Sequence, residues 1–195
     1  MDTKLTLNII IVSTRPNRIG PNVARWFHAY AAEHGRFDAN LVDLAAFKLP
    51  VFDEPRHPRL QQYEHDHTKA WSASVAAADA FVFVTPEYNF FAPPSFVNAV
   101  SFLSREWARK PAGFVSYGGV SAGLRAAQSA KLLLTTMNVM PIAAGVALPM
   151  VQTLIDGEGV LQPNELILAG ARTMLDELHL WASALKPTRE PVSAT

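Results

Sequence analysis

Two hydroxyls and two guanidinium groups fall within six residues, Ser13-Thr14-Arg15-Pro16-Asn17-Arg18, followed by Ile19-Gly20. Such a density of O–H and N–H donors suits an anion, above all a phosphate. The suitability is greatest where the loop opens a helix, whose first N–H groups are free and partly positive. A second cluster, Ser116-Tyr117-Gly118-Gly119-Val120-Ser121-Ala122-Gly123, has three glycines and two serines, so backbone polar groups can approach a flat ligand edge without side-chain obstruction. Between them in the chain, Pro86-Glu87-Tyr88-Asn89 brings a carboxylate, a phenol and an amide together just before Phe90 and Phe91. A carboxylate there could serve as a nucleophile or base. Two adjacent loop aromatics suit a substrate pocket or a subunit contact. The plainer readings are an N-capping turn with solvated arginines, a Gly-Ser turn and a surface carboxylate.

His57, His65, Asp66 and His67, near Asp53 and Glu54, include side chains that ligate zinc and similar ions. His65 and His67 are two positions apart and should diverge if a helix has begun. The stretch therefore reads as a polar loop entering a helix capped by Asp66, with no metal. Neither G-x-G-x-x-G nor G-x-x-x-x-G-K-[ST] occurs, which removes the main support for a dinucleotide fingerprint or a P-loop.

These clusters must be positioned by the elements around them. Residues 5–12 are apolar and β-branched for the most part and 80–84 form a continuous apolar run, as expected of a parallel strand covered on both faces. Residues 37–44 read as a second strand, 112–117 as a fourth, and 139–148 as a fifth that Pro141 and Gly145 should bend or bulge. Helices are expected after Pro21, over 66–78, 94–104 and 123–137, and from Pro163 onward. In the last of these Leu166, Gly170, Met174, Leu178, Trp181 and Leu185 share one face. Residues 49–62 carry Pro50, Pro55 and Pro58 and read as loop. Strands alternating with helices make a doubly wound parallel sheet with the order 2-1-3-4-5 and helices on both faces. In that order the loops after strands one and three flank the ligand.

With 195 residues the chain has room for one core, so residues 1–186 read as a single domain and 187–195 as a flexible tail. Acidic and basic residues balance at 17 each, which gives no basic excess for nucleic acid or an anionic membrane. Cysteine is absent, so disulfides, thiolate metal sites and cysteine nucleophiles are excluded, and a reducing, cytoplasmic location fits. Arg15 and Arg18 follow the first apolar run where a signal peptide would need small uncharged residues. No uninterrupted apolar segment reaches the roughly 18 residues of a membrane span.

Taken in order, the first loop, Thr85-Pro86-Glu87-Tyr88-Asn89, and Lys110-Pro111 leading to Ser116-Tyr117-Gly118-Gly119 with Gly123-Leu124-Arg125-Ala126 resemble the NADPH-dependent FMN reductases, a flavodoxin-like family. The loop Leu49-Pro50-Val51-Phe52-Asp53-Glu54-Pro55 shares the likeness, which covers roughly residues 5–150. The resemblance implies one FMN per chain, its phosphate held by Ser13, Arg15, Asn17, Arg18 and Ile19. It implies that Pro86, Glu87, Tyr88 and Asn89 line the ribityl and isoalloxazine, and that Ser116, Tyr117, Gly118, Gly119 and Ser121 meet the ring's far edge. NADPH or NADH would be the electron donor and a flavin, quinone or similar small molecule the acceptor, with no acid–base residue needed because flavin N5 does the chemistry. A homodimer is expected, with Phe90, Phe91 and Phe96 on an apolar face. Val97 and Ser101 stand where the family usually has Lys and Asp, and Ala122 replaces a usual glycine. A non-enzymatic FMN carrier or redox sensor, and a glycosyl-transferring or hydrolytic enzyme using Glu87, are the rival readings.

Overall fold

The computed structural model describes residues 4–189. Five strands, β1 (Leu5–Ile11), β2 (Phe37–Asp43), β3 (Ala80–Pro86), β4 (Pro111–Tyr117) and β5 (Met140–Leu148), form one parallel sheet in the order β2-β1-β3-β4-β5. Ile11 pairs with both Asp43 and Val84, Thr85 with Ser116, and Tyr117 with Leu148, so the strand C-termini lie side by side. The pairing of β4 with β5 shifts register between Ala112 and Phe114, which is the bend that Pro141 and Gly145 foreshadow.

Helices α1 (Gly20–His34), α2 (Asp66–Ala77), α3 (Pro94–Ser101), α4 (Leu124–Thr136) and α5 (Glu165–Leu185) divide between the two faces of the sheet. Val23 and Phe27 of α1 pack with Met174 and Leu178 of α5 on one face. Trp71, Phe96, Val100 and Leu134, from α2, α3 and α4, pack on the other. That second core is built around aromatic rings: Phe83 lies 5.0 Å from Phe96 and 5.5 Å from Phe114, and Phe81 5.0 Å from Trp107. Edge-to-face and tilted contacts of this kind add to the area buried. Phe96 is therefore core, only 2% exposed, and not part of an apolar outer face.

The α5 stripe differs from its expectation. Asn164 caps the helix by accepting from the Ile167 N–H, and Ile167, Ala171, Met174, Leu178 and Ala182 are buried. Leu166 is 81% exposed. The helix carries more apolar positions than one stripe holds, and contact with the sheet selects the rotation. Beyond Leu185, residues 186–189 form a short 3-10 turn tied to the bottom of the sheet, where Lys186 and Arg189 both reach Asp79 at 3.1 and 3.0 Å. The remaining residues of the expected tail lie outside the described ones.

Three buried charges brace the α2 region. Glu54 accepts from the N–H groups of Glu64 and His65, ahead of the first turn of α2. Glu106 Oε1 accepts from the Tyr63 hydroxyl at 2.8 Å and the Ser72 hydroxyl at 2.7 Å. Lys110 Nζ donates to the carbonyls of Val75 and Ala76 at the C-terminus of α2, and burial, aided by Arg189, brings its pKa down to about 8. Each charge is paired or hydrogen-bonded, the condition for keeping it inside a fold.

Candidate cofactor site

Direct contacts join the loops that follow β1, β3 and β4. Ser13 Oγ shares a hydrogen bond of 2.8 Å with the Tyr88 hydroxyl, and Ser121 Oγ donates to Glu87 Oε1 at 3.2 Å. Pro86 closes β3 and Pro93-Pro94 opens α3, so residues 87–92 have little freedom.

The first loop presents backbone donors without protein acceptors. Among the described residues, no protein group accepts from the backbone N–H groups of Thr14, Arg15, Asn17, Arg18 or Ile19. Asn17 takes a left-handed conformation with φ of 53°, which turns the chain toward α1. Ile19 sits at the N-cap, its side chain against the core and its carbonyl accepting from Asn22 and Val23. The two arginines differ. Arg18 is committed: its guanidinium pairs with Asp43 at the end of β2 and donates to the Arg15 carbonyl, while its buried Nε has no partner. Arg15 is exposed, has no carboxylate partner among the described residues, and holds its guanidinium carbon 5.7 Å from the centre of the Tyr88 ring.

In the second loop Glu87 is a tie between elements. Its carboxylate accepts from the Arg125 backbone N–H at 3.1 Å, from Arg125 Nε at 2.7 Å and from Ser121 Oγ, with Arg125 Nη2 in ion-pair contact at 2.5 Å. Burial pushes the carboxyl up, but the Arg125 guanidinium, the Ser121 hydroxyl and the Ala126 N–H outweigh it and hold its pKa below the usual range. A carboxylate at the first turn of α4 also opposes the positive end of that helix. Because the folded pKa lies below the unfolded one, this stabilisation is complete above the ordinary glutamate range and is lost as pH falls through the folded value. Urea unfolding of the wild type and Glu87→Gln across pH 3 to 7 checks this: the wild type's advantage should hold down to about pH 5 and shrink below about pH 4.

Asn89 and Phe90 form a two-residue turn, with Tyr88 and Phe91 exchanging backbone hydrogen bonds at 3.1 and 3.0 Å. Both turn residues have positive φ, 51° and 65°. Phe90 is 68% exposed, and its ring lies 3.8 Å from the Arg125 guanidinium carbon.

In the third loop Gly118 donates to Leu148 O, closing the loop against β5, and a Cβ at Gly119 would meet nothing within 4 Å. Ala122 and Gly123 both have positive φ. Ser116 is buried in β4. Tyr117 points elsewhere: its hydroxyl lies where a Cβ on Gly20 would come within 2.9 Å, over the start of α1 beside the first loop. Burial raises its pKa, so it stays a neutral phenol.

Four residues that hold this arrangement had no role assigned from the sequence. Asp43 takes Arg18, and Arg125 takes Glu87. Ser95 Oγ donates to Val12 O at 2.8 Å, pinning α3 to the end of β1. Asn98 donates to Pro50 O and accepts from Phe52 N–H, fixing residues 50–52 along α3. Each partner is far away in sequence; the only local signal was a polar side chain in or next to a helix. Between residues 44–52 and α3 lies an apolar groove of about 850 Å³ lined by Leu44, Val51, Phe52, Phe91 and Val97. Ser101 Oγ bonds back to Val97 O, so neither of the positions that lack the family's charges makes an ion pair.

The histidines do not diverge. His65 precedes α2, its ring stacks on that of His67 at 5.2 Å, and both face Asp53. Among the described residues no group of three or more metal-ligating side chains is placed to hold an ion.

Residues 5–153 match the family model described as NADPH-dependent FMN reductase. An NAD(P)H-dependent FMN reductase of Schizosaccharomyces pombe is 37% identical over 161 residues, 78% of this chain and 80% of that protein. A 2-hydroxy-1,4-benzoquinone reductase from a Burkholderia species is 27% identical over 133 residues, 64% of this chain and 67% of its own. Among solved structures, the NAD(P)H:acceptor oxidoreductase FerB from Paracoccus denitrificans superposes with a TM-score of 0.73 at 17% identity, covering 93% of this chain and 98% of its own.

Proposed function

The chain belongs to the NADPH-dependent FMN reductase family, and from that membership we propose how its own residues serve FMN-dependent oxidoreduction driven by NAD(P)H. The observation that carries the reading is, among the described residues, the set of unpartnered N–H groups over residues 14–19, beside the Ser13 hydroxyl and the unpaired Arg15. A phosphate monoester fits that donor set, and the orphaned buried Nε of Arg18 is a further donor awaiting an acceptor. The open space at Gly119 fits the edge of a flat ring. On this reading Ser13, Arg15, Asn17, Arg18 and Ile19 hold the phosphate. Pro86, Glu87, Tyr88 and Asn89 then form one wall, and Ser116, Gly118, Gly119 and Ser121 the other. Tyr117 serves the phosphate end of the site, through its hydroxyl over Gly20.

Bound FMN supplies a ring that takes a hydride from a reduced nicotinamide and delivers electrons to an acceptor. This chain's residues bind, orient and shield. Glu87 acts through its grip on Arg125 and Ser121, whose donors engage both its oxygens, an arrangement of a structural tie rather than of a nucleophile. Unpartnered N–H groups at Asn89 and Phe90 offer donors to an electron-rich ring. The acceptor is a quinone or flavin, a reading supported by the quinone reductase relative. A second copy of the chain covers the groove at α3, where Val51 is 88% exposed and Phe52 and Phe91 are unshielded. Among the described residues no helix is long and apolar enough to cross a membrane. A cytoplasmic setting accords with the absence of cysteine.

Titration with FMN, followed by NADPH without oxygen, is the test. Uptake of flavin at micromolar concentration and bleaching of its visible band are expected. Absence of uptake would overturn the assignment, and uptake without bleaching by NADPH or NADH would leave a carrier or sensor.

A further inference from the structure

The Asn89-Phe90 turn is costly. A two-residue turn with both φ values positive favours Asn followed by Gly, and a side chain as large as Phe is strained in the left-handed region. Such strain persists only where the surroundings impose it. The side chain that reaches the turn itself is Arg125, packed over Phe90. Its guanidinium carbon lies over the Phe90 ring, 3.8 Å from the ring centre, while Nε and Nη2 pair with Glu87 at 2.7 and 2.5 Å. Glu87 itself is anchored by the Arg125 backbone N–H and the Ser121 hydroxyl, so the clamp joins the loop after β3 to the loop after β4. The planar fork is what allows one cation to do both tasks, since a Lys ammonium can pair with a carboxylate but has no plane to lay on a ring.

We propose that Arg125 is a positioning residue: it holds the strained Asn89-Phe90 turn in place, and with it the free N–H groups of Asn89 and Phe90, at the spacing the flavin ring requires. This rests on the reading that the ring lies between these two loops. The clamp itself does not depend on that reading, because every contact in it is between protein groups.

The two halves are tested separately. Hydrogen exchange on FMN-free protein reads the Tyr88 and Phe91 amides, which are protected only by each other's carbonyls. Arg125→Ala should speed their exchange about tenfold, and Arg125→Lys should stay within about twofold of that variant. Arg125→Ala combined with Phe90→Gly should return exchange to within about twofold of wild type, because Gly takes positive φ without strain. FMN titration of the same proteins reads the second half. Arg125→Ala should weaken FMN about tenfold and blur the fine structure of its visible band, and the Phe90→Gly partner change should restore both. Unchanged exchange in Arg125→Ala overturns the clamp. Restored exchange with FMN affinity and band shape left as in Arg125→Ala overturns the link to the flavin. A wild type that takes up no FMN removes the flavin reading while exchange still decides the clamp.

Discussion

Gly123→Ala is expected to destabilise the fold by about 2–4 kcal/mol, the sum of left-handed strain and a backbone collision. Gly123 has φ of 74°, where an L side chain is strained, and a Cβ there would stand 2.8 Å from the Tyr117 carbonyl and 2.9 Å from the Tyr117 nitrogen. Those atoms are backbone at the end of β4, where Tyr117 pairs with Leu148 of β5, so relief must distort the ladder. Gly119→Ala is the matched control. Its Cβ would meet nothing within 4 Å and its φ is not positive, so its stability should stay within about 0.5 kcal/mol of wild type. If a flat ring lies there, Gly119→Ala should instead weaken FMN. Urea midpoints and FMN titrations of both variants separate the two glycines: a stability loss marks one that serves the backbone, an affinity loss one that serves the ligand. A Gly123→Ala protein as stable as wild type would mean that the third loop is softer than its geometry implies.

Arg15→Ala is expected to weaken FMN by about 10- to 100-fold while changing riboflavin by less than about threefold. Riboflavin lacks the phosphate, and a charge-assisted contact contributes roughly 1.5–3 kcal/mol. The structure makes Arg15 the better choice of the two arginines, because its charge has no carboxylate partner among the described residues whereas that of Arg18 is engaged by Asp43. Arg18→Ala should also favour riboflavin over FMN. Part of its effect should come through the backbone, since Arg18 holds the Arg15 carbonyl. Asp43→Asn distinguishes the parts: if Arg18 is needed mainly as a charge near the phosphate, freeing it from Asp43 should leave FMN affinity intact or raise it. Quenching of flavin fluorescence measures every case. Equal losses for FMN and riboflavin in Arg15→Ala would move the phosphate elsewhere.

Much of this architecture could be read from residue order. The apolar runs ending at Val12 and Thr85, the glycines after Tyr117 and the prolines at 86, 93 and 94 located the strand ends and the loops that meet there. Harder to read were the identities of the partners. Glu87 could be read as attacking a substrate or as facing a ring, the latter favoured by the Tyr-Asn beside it, but nothing local shows that Arg125, 38 positions on, occupies it. Phe90 read as a pocket or interface residue, and nothing local announced that its backbone would be left-handed. Phe96 looked like part of an exposed aromatic face because it follows Phe90 and Phe91, yet a helical residue facing the sheet is buried against Phe83 and Phe114.

What the sequence by itself determined was the order and type of elements and the chemical content of three loops. Those follow from hydrophobic runs, proline and glycine placement, and short motifs, all of which act within a few residues. Only the tertiary structure decided which charges are paired: Arg18 on Asp43 and Glu87 on Arg125, with Arg15 lacking a carboxylate partner among the described residues. The reason is physical. An ion pair depends on distance in space, and the sheet order β2-β1-β3-β4-β5 brings together groups separated by 25 and 38 positions along the chain.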